Sequence, residues 1–296
     1  MPSQSSISNG GDRITAIVPV FNRFEYLADC LHSIFSQTRA PDEVLVIDDC
    51  STESITDYLA GTDYRNCVTV VRTDRNRGPA GGRNFGWRRA TGNLIAFIDS
   101  DDLWEPYKTE VQLGWLRQNG DVAGVYGGLT AFYPDGTSHP WATDRPPQVT
   151  VANALADCNI CVQTLLIRRQ VLESIGGFDE TFGILDDQDV AVRLAQQGHR
   201  IDFISDPPMG RLRRNSQNQS GNARLYFQED LIINKRYGKL LNQVYGPGSR
   251  RVHLARAVRR FGNSVNHMGV PSRIMARALE WSAPRSRMPR HGNPNL

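Results

Sequence analysis

Four short apolar runs alternate with stretches of helical spacing over the first hundred residues, and few architectures other than a parallel α/β sheet accommodate that pattern. The runs are RITAIVPV (13–20), EVLVI (43–47), CVTVV (67–71) and NLIAFI (93–98). They are apolar throughout rather than alternating, as strands buried on both faces must be. Between them Phe24 to Gln37 repeats apolar residues at Leu27, Leu31, Ile34 and Phe35, the period of a helix face. The intervals 51–59, with Ser51 or Thr52 as cap, and 81–90 also read as helices. Strands of this kind joined by amphipathic helices predict a mostly parallel central sheet flanked by helices.

In such sheets ligands lie at the carboxyl ends of the strands. Three polar groups stand there: Phe21-Asn22-Arg23, Asp48-Asp49 and Asp99-Ser100-Asp101-Asp102. Further on, the spacing predicts a helix over 111–118, a strand over 122–126, and a polar, proline-rich surface loop over 133–148. A strand follows over 161–167, with helices over 169–174 and 187–197. From Pro207 onward no strand is expected, and helices are predicted over 224–241 and 250–261. The expected organisation is a disordered lead-in (1–12), a sheet domain (13–210) and a mainly helical, basic extension (211–296).

Composition narrows the class. No run of about eighteen apolar residues exists to span a bilayer, and the first twelve residues are polar, without the apolar centre of a signal peptide. Five scattered cysteines include one C-x-x-C, Cys158 to Cys161, which lacks the second pair or the histidines of a zinc site. A reducing cytoplasm is the expected compartment. Charge is unevenly placed. Residues 246–296 hold ten arginines, no lysine and one acid, a net +9, whereas the first 245 carry a net −6.

The acidic groups carry the chemistry. Asp99 and Asp101 offer hard oxygens that suit magnesium or manganese, with a substrate diphosphate completing an octahedral shell. The alternative is that Asp101 or Asp102 caps the next turn. Asp48-Asp49 could bond a base N–H or ribose hydroxyls, or cap the helix that follows. The glycine-rich NRGPAGGRNFGWRRATG (76–92) is neither a GxxxxGK[ST] loop nor a GxGxxG, so its small residues are expected to bring a helix close to the sheet. Arg83 in that stretch suits a phosphate or base, or else a surface ion pair. Asp186-Asp187-Gln188-Asp189 opens a helix; one of its acids could serve as a general base, or all could answer the helix dipole.

Taken in order, AIVPVFNRFEYLADCLHSIFSQT, EVLVIDDCSTES, NRGPAGGRNFGWRRATGNLIAFIDSDDLW and IGGFDETFGILDDQDVAVRLAQQG resemble the family 2 glycosyltransferases over residues 13 to 205. The resemblance implies the A-type glycosyltransferase fold, with 13–210 as catalytic domain. It also implies a nucleotide-diphospho-sugar donor, UDP by family habit, a divalent metal (Mn2+ or Mg2+), and transfer with inversion to an acceptor hydroxyl. Such transfer serves bacterial polysaccharide, glycolipid or other glycoconjugate synthesis. By position, Pro19, Phe21 and Asn22 would border the nucleotide, Asp49 would meet the base, and Arg83 would lie against base or phosphate. Asp99 would meet the ribose, Asp101 the metal, and Asp187 would be the base, with Asp186 where the family usually has Glu. Gly177, Phe178 and Asp179 would border the acceptor, and Trp141 could stack on a sugar or cover the core.

One departure concerns RLRRNSQNQS (211–220): Asn215 stands where the family often has a histidine, and Arg211, Arg213 and Arg214 precede it. Those arginines could neutralise the diphosphate instead. The basic tail fits peripheral contact with anionic lipid at the inner face of the membrane, or packing, dimerisation or disorder; the oligomeric state stays open. Nucleic acid is not an expected partner, because the body is acidic and no aromatic-basic platform is present. Two rival readings are a sugar nucleotidyltransferase, which would want a glycine-rich loop with Arg and Lys after the first strand, and an inactive sugar-nucleotide-binding module, which would be expected to lose Asp101 or Asp187.

Overall fold

The computed structural model describes residues 11–156, 160–214 and 222–254. Its main sheet has seven strands in the order β10-β6-β9-β4-β1-β2-β3. In chain order these are β1 (Ile14–Val20), β2 (Glu43–Asp48), β3 (Thr69–Arg72), β4 (Leu94–Phe97), β6 (Val122–Gly127), β9 (Leu166–Arg168) and β10 (Arg200–Ile204). All neighbours run parallel except β9, which is antiparallel to both β4 and β6. The mostly parallel central sheet flanked by helices expected from the sequence is the one observed.

The period of two explains the two-sided core. Ile14, Ala16 and Val18 of β1, Val44 and Val46 of β2, and Leu94 and Ala96 of β4 face one cluster. Leu27, Cys30, Leu31 and Ile34 of helix α1 (Leu27–Phe35) cover it. The intervening Ile17, Leu45, Ile47, Ile95 and Phe97 face the other, under helix α3 (Gly78–Trp87). Small residues do let α3 approach the sheet: a Cβ on Gly86 would sit 2.6 Å from Ile17 Cγ2.

Helix α2 (Ile55–Ala60) starts later than expected, and its cap is Ser54, whose hydroxyl accepts the Asp57 N–H. Ser51 and Thr52, the expected caps, are tied to the β1 side instead: Ser51 Oγ accepts the Asn22 N–H, and Asn22 Oδ1 accepts the Thr52 N–H.

A second sheet, β5-β11-β7-β8, corrects two expectations. The stretch 133–148 is not all loop, since β8 (Ser138–Trp141) pairs antiparallel with β7 (Leu129–Phe132). Strand formation also continues past Pro207: β11 (Gly210–Arg213) pairs parallel with β7 and antiparallel with β5 (Leu103–Trp104). These strands are two to four residues long and hold arginine, histidine and proline, so no apolar run marks them. The expected domain boundary at 210/211 thus falls within β11. Helices α4 (Lys108–Gln118), α5 (Val151–Ala156), α6 (Arg169–Ser174), α7 (Asp186–Gln196) and α8 (Ala223–Tyr245) complete the described chain, with a 3-10 turn at Val162–Thr164. Asn215, Cys158, residues 1–10 of the lead-in, and 255–296, including most of the helix expected over 250–261, lie outside the described residues.

Candidate active site

The carboxyl ends of β1, β2 and β4 and the start of α3 bring together most of the residues expected at the nucleotide. Phe21 is exposed at 44%, and Asn22 takes a left-handed backbone (φ 56°) that lets it reach across to the 51–52 turn. Pro19 faces α3, with Gly82 pressed close above it.

Asp49 is buried, and its carboxylate is fully engaged. It accepts the Arg77 N–H (2.9 Å and 3.0 Å), the Gly78 N–H (2.8 Å) and the Thr73 hydroxyl (3.0 Å). Arg77 is the N-cap of α3 and supplies no side-chain cap of its own. Asp49 therefore satisfies orphan N–H groups of a helix that starts nearly thirty residues later, not of the one that follows it. Its neighbour Asp48 accepts the Ser51 N–H and pairs with Arg72 at 2.5 Å.

The centre of the site is Arg83. It lies buried on α3 and spans two acids, donating from one terminal nitrogen to Asp186 Oδ2 at 2.5 Å and from the other to Asp99 Oδ1 at 2.7 Å. Burial works against its charge, but Asp186 and Asp99 outweigh burial and hold the guanidinium firmly protonated. Its Nε has no hydrogen-bond partner among the described residues. Burial, opposed by Arg83 and assisted by Asp99, pushes the Asp186 carboxyl above its usual range. One arginine thus joins the end of β4 to the first turn of α7, where Asp187 stands half-buried beside Asp186.

Asp101 is pushed upward by burial and by Asp99, and its carboxylate stands 3.6 Å from the Arg23 guanidinium. That is too long for a good charge-assisted hydrogen bond. Asp102 is buried and plays another part: its Oδ1 accepts the Arg213 N–H at 2.8 Å and so pins β11 to the acidic turn. Arg213 Nε donates to the Asp101 carbonyl at 2.9 Å, and its guanidinium lies 4.2 Å from the centre of the Tyr26 ring. The second sheet therefore carries an arginine to the acidic turn from 112 residues away in sequence. Asp99 and Asp101 fit a hard divalent cation in donor type, since both offer only carboxylate oxygens and one turn holds them close, with Asp99 also paired to Arg83. No cluster of three or more ligand side chains occurs among the described residues, so the remaining positions would fall to a bound diphosphate or water.

The acceptor-side residues are placed differently from one another. Gly177 has φ +79°, and a Cβ there would meet Asn84 Oδ1 at 2.4 Å. Asn84, missed in the sequence, is buried in α3 and holds this turn: it donates to the Phe178 carbonyl (2.8 Å) and Glu180, and accepts from Phe178 N–H and Trp87 Nε1. The Phe178 side chain is core, edge-on to Phe97 and beneath Arg83. Asp179 accepts from Thr181 and pairs with Arg236 of α8 at 2.6 Å. Trp141 lies on the outer strand β8, with the Arg214 guanidinium 4.1 Å from its ring centre.

Helix α8 also went unrecognised as part of the site. A signal was present: Glu229, Ile233, Tyr237 and Leu241 repeat every four residues on one buried stripe, and a carboxylate in such a stripe needs partners.

A model of the family described as Glycosyl transferase family 2 matches residues 15–176. The Bacillus subtilis glycosyltransferase TuaG, named for teichuronic acid biosynthesis, is 31% identical over 165 residues, which cover 55% of this chain and 65% of that one. The Escherichia coli UDP-Glc:alpha-D-GlcNAc-diphosphoundecaprenol beta-1,3-glucosyltransferase WfgD is 28% identical over 160 residues, 54% of this chain and 61% of that one. The chain thus spans somewhat under two thirds of the length of these curated relatives. Among solved structures, S. aureus TarS in complex with UDP-GlcNAc superposes with a TM-score of 0.66 at 20% identity, over 92% of this chain and 82% of that one. The Pyrobaculum calidifontis mannosyltransferase PcManGT in complex with GDP-Man and Mn2+ gives 0.59 at 21% identity, over 95% and 82%. Likeness at that identity establishes the fold.

Proposed function

We infer the activity from a plain premise: the chain belongs to glycosyl transferase family 2. On that premise it moves a sugar from a nucleotide-diphospho-sugar to an acceptor hydroxyl, with inversion at the anomeric carbon. The observation that carries this reading is the Arg83 bridge, which draws the acidic turn after β4 and the acidic start of α7 to the same guanidinium.

In this reading Asp187 takes the proton from the acceptor hydroxyl as its oxygen attacks in line. The new C–O bond forms on one face of the sugar while the bond to the diphosphate breaks on the other. Phe21, Asn22 and Pro19 border the nucleotide, and Asp49 shapes the base side by holding the start of α3. Asp99 meets the ribose. Gly177 and Asp179 border the acceptor, with Trp141 near it on the second sheet. Mn2+ or Mg2+ would be held by Asp101 with Asp99 beside it, and would supply charge that stabilises the departing diphosphate. Arg213, already bonded to the Asp101 carbonyl, adds positive charge from the protein side.

UDP is the proposed nucleotide, supported by the substrate in WfgD's name and by the ligand bound to TarS. A lipid-linked or other glycoconjugate acceptor is proposed, in keeping with WfgD and TuaG. The +9 charge of residues 246–296 supports peripheral contact with anionic lipid at the inner membrane face; no helix among the described residues is long and apolar enough to cross a membrane.

The test is thermal unfolding with UDP, TDP and GDP, each with and without Mn2+, on the native chain and on Asp101→Asn. A ligand at about 100 times its Kd adds about 2.7 kcal/mol, a readily measured rise in midpoint. Metal-dependent stabilisation by one nucleotide, lost in the variant, is the expected result. No shift with any of the three sinks the donor-site reading.

A further inference from the structure

The residue taken as the base opens a helix in which its own Oδ1 accepts the Gln188 N–H at 2.7 Å, while the chain entering that helix is held from elsewhere. The N-cap position of α7 is Leu185, which has no side-chain acceptor to offer. Three successive N–H groups leading into the helix are instead taken by one carboxylate from another element. Glu229 of α8, only 2% exposed, accepts Gly183 N–H at 2.7 Å through one oxygen, and Ile184 N–H at 2.9 Å and Leu185 N–H at 2.8 Å through the other. A second clamp lies one turn into α7 and two turns along α8. Asp189 of α7, wholly buried, accepts from Arg236 (2.6 Å) and Tyr237 (2.7 Å) of α8, and Arg236 reaches on to Asp179 at 2.6 Å.

From this geometry we propose that Glu229 and Arg236 are positioning residues for transfer. Glu229 sets the start of α7, and with it Asp186 and Asp187, while Arg236 ties that helix to the acceptor-side turn at Asp179. The inference rests on Asp187 being the base. It draws α8, which lies beyond the residues matched by the family model, into the working site. The chemistry favours positioning over general stiffening. A backbone carrying a base tolerates little displacement, because misplacement by about 1 Å can cost a hundredfold in rate. A carboxylate accepting three N–H groups fixes the entry of the helix in both translation and tilt. The donor side has an anchor of its own, Asp49 at the start of α3, and meets α7 through the Arg83–Asp186 pair, so a change at Glu229 acts first on the acceptor side.

The test uses the full chain and its Glu229→Gln, Glu229→Ala and Arg236→Met forms, each assayed well below its own melting midpoint. UDP-GlcNAc and UDP-glucose serve as probe donors, with UDP release to water as the rate and the UDP–Mn2+ thermal shift as the measure of donor binding. Glu229→Ala is expected to lower kcat at least tenfold, leave donor KM within twofold, and keep the nucleotide shift. Glu229→Gln retains an oxygen for some of the N–H groups and falls between. Arg236→Met lowers kcat with KM held. Hydrogen exchange at amides 183–187 rises in Glu229→Ala. Unchanged kcat per folded molecule in Glu229→Gln and Glu229→Ala, whatever the loss in midpoint, overturns the proposal, as does a loss confined to donor KM. If Glu229→Ala fails to fold, unchanged kcat in Glu229→Gln overturns it alone. A native chain that neither shifts with UDP, TDP or GDP nor consumes donor removes the underlying function, and this inference with it, before any variant is compared.

Discussion

Lys108 is wholly buried at the first position of α4, over the ring of Trp104 in β5, and replacing it with methionine should change how stability depends on pH. Its ammonium donates to Gln112 Oε1 at 2.8 Å and lies 4.2 Å from the centre of the Trp104 ring, and no carboxylate is bonded to it among the described residues. Burial pulls its pKa from 10.5 down to about 7. At about 1.36 kcal/mol per pH unit that shift corresponds to a penalty on the charged form of about 5 kcal/mol. The sign follows from proton counts. Between pH 7 and 10.5 the unfolded chain holds a proton on this lysine and the folded chain does not, so native stability rises with pH across that window. From pH 7 to 9 the native chain should gain about 2 kcal/mol relative to Lys108→Met, whose methionine fills the space without a charge. Guanidinium unfolding of both proteins, followed by circular dichroism at pH 7, 8 and 9, measures the difference and cancels every other titrating group. Parallel stability profiles would falsify the reasoning, for they would mean that the lysine stays protonated in the fold.

Asp187→Asn should abolish donor turnover, by a factor of a hundred or more, while the nucleotide-dependent rise in melting midpoint persists; loss of both together would count against its assignment as base. Arg83→Met leaves Asp186 buried without its cation, and breaking such a pair costs about 3–5 kcal/mol. Chemical denaturation should show that loss, and a change under 1 kcal/mol would mean that Asp186 finds another partner. Gly177→Ala forces a Cβ against Asn84 and Trp87 at positive φ, a loss of about 1–3 kcal/mol. Its signature is a lowered melting midpoint with faster hydrogen exchange at 176–179, and an unchanged midpoint speaks against the contact.

Several features were legible in the chain itself. Continuous apolar runs of four to seven residues identify β1, β2, β4 and β6, because a strand buried on both faces has no polar alternative. The helical period over Leu27 to Phe35 identifies α1, and the topology rule for ligands at strand ends directs attention to Asn22, Asp49, Asp99 and Asp101. The small residues of α3 announced close packing, and Gly86 against Ile17 is that contact.

The second sheet was not legible. Its strands gain their burial from one another and from β5, a two-residue strand no pattern could mark. Nor could sequence decide what each carboxylate does. Asp49, Asp102, Asp186 and Glu229 are chemically alike, yet the fold makes them a cap for α3, an anchor for β11, a partner of Arg83 and a cap for α7. Periodicity is local and survives in the sequence, because backbone geometry repeats every two or 3.6 residues. The partner of a buried charge is chosen by which groups meet across the sheet: 103 residues separate Arg83 from Asp186, and 44 separate Leu185 from Glu229. A buried charge must find some partner, but only the packed chain determines which one.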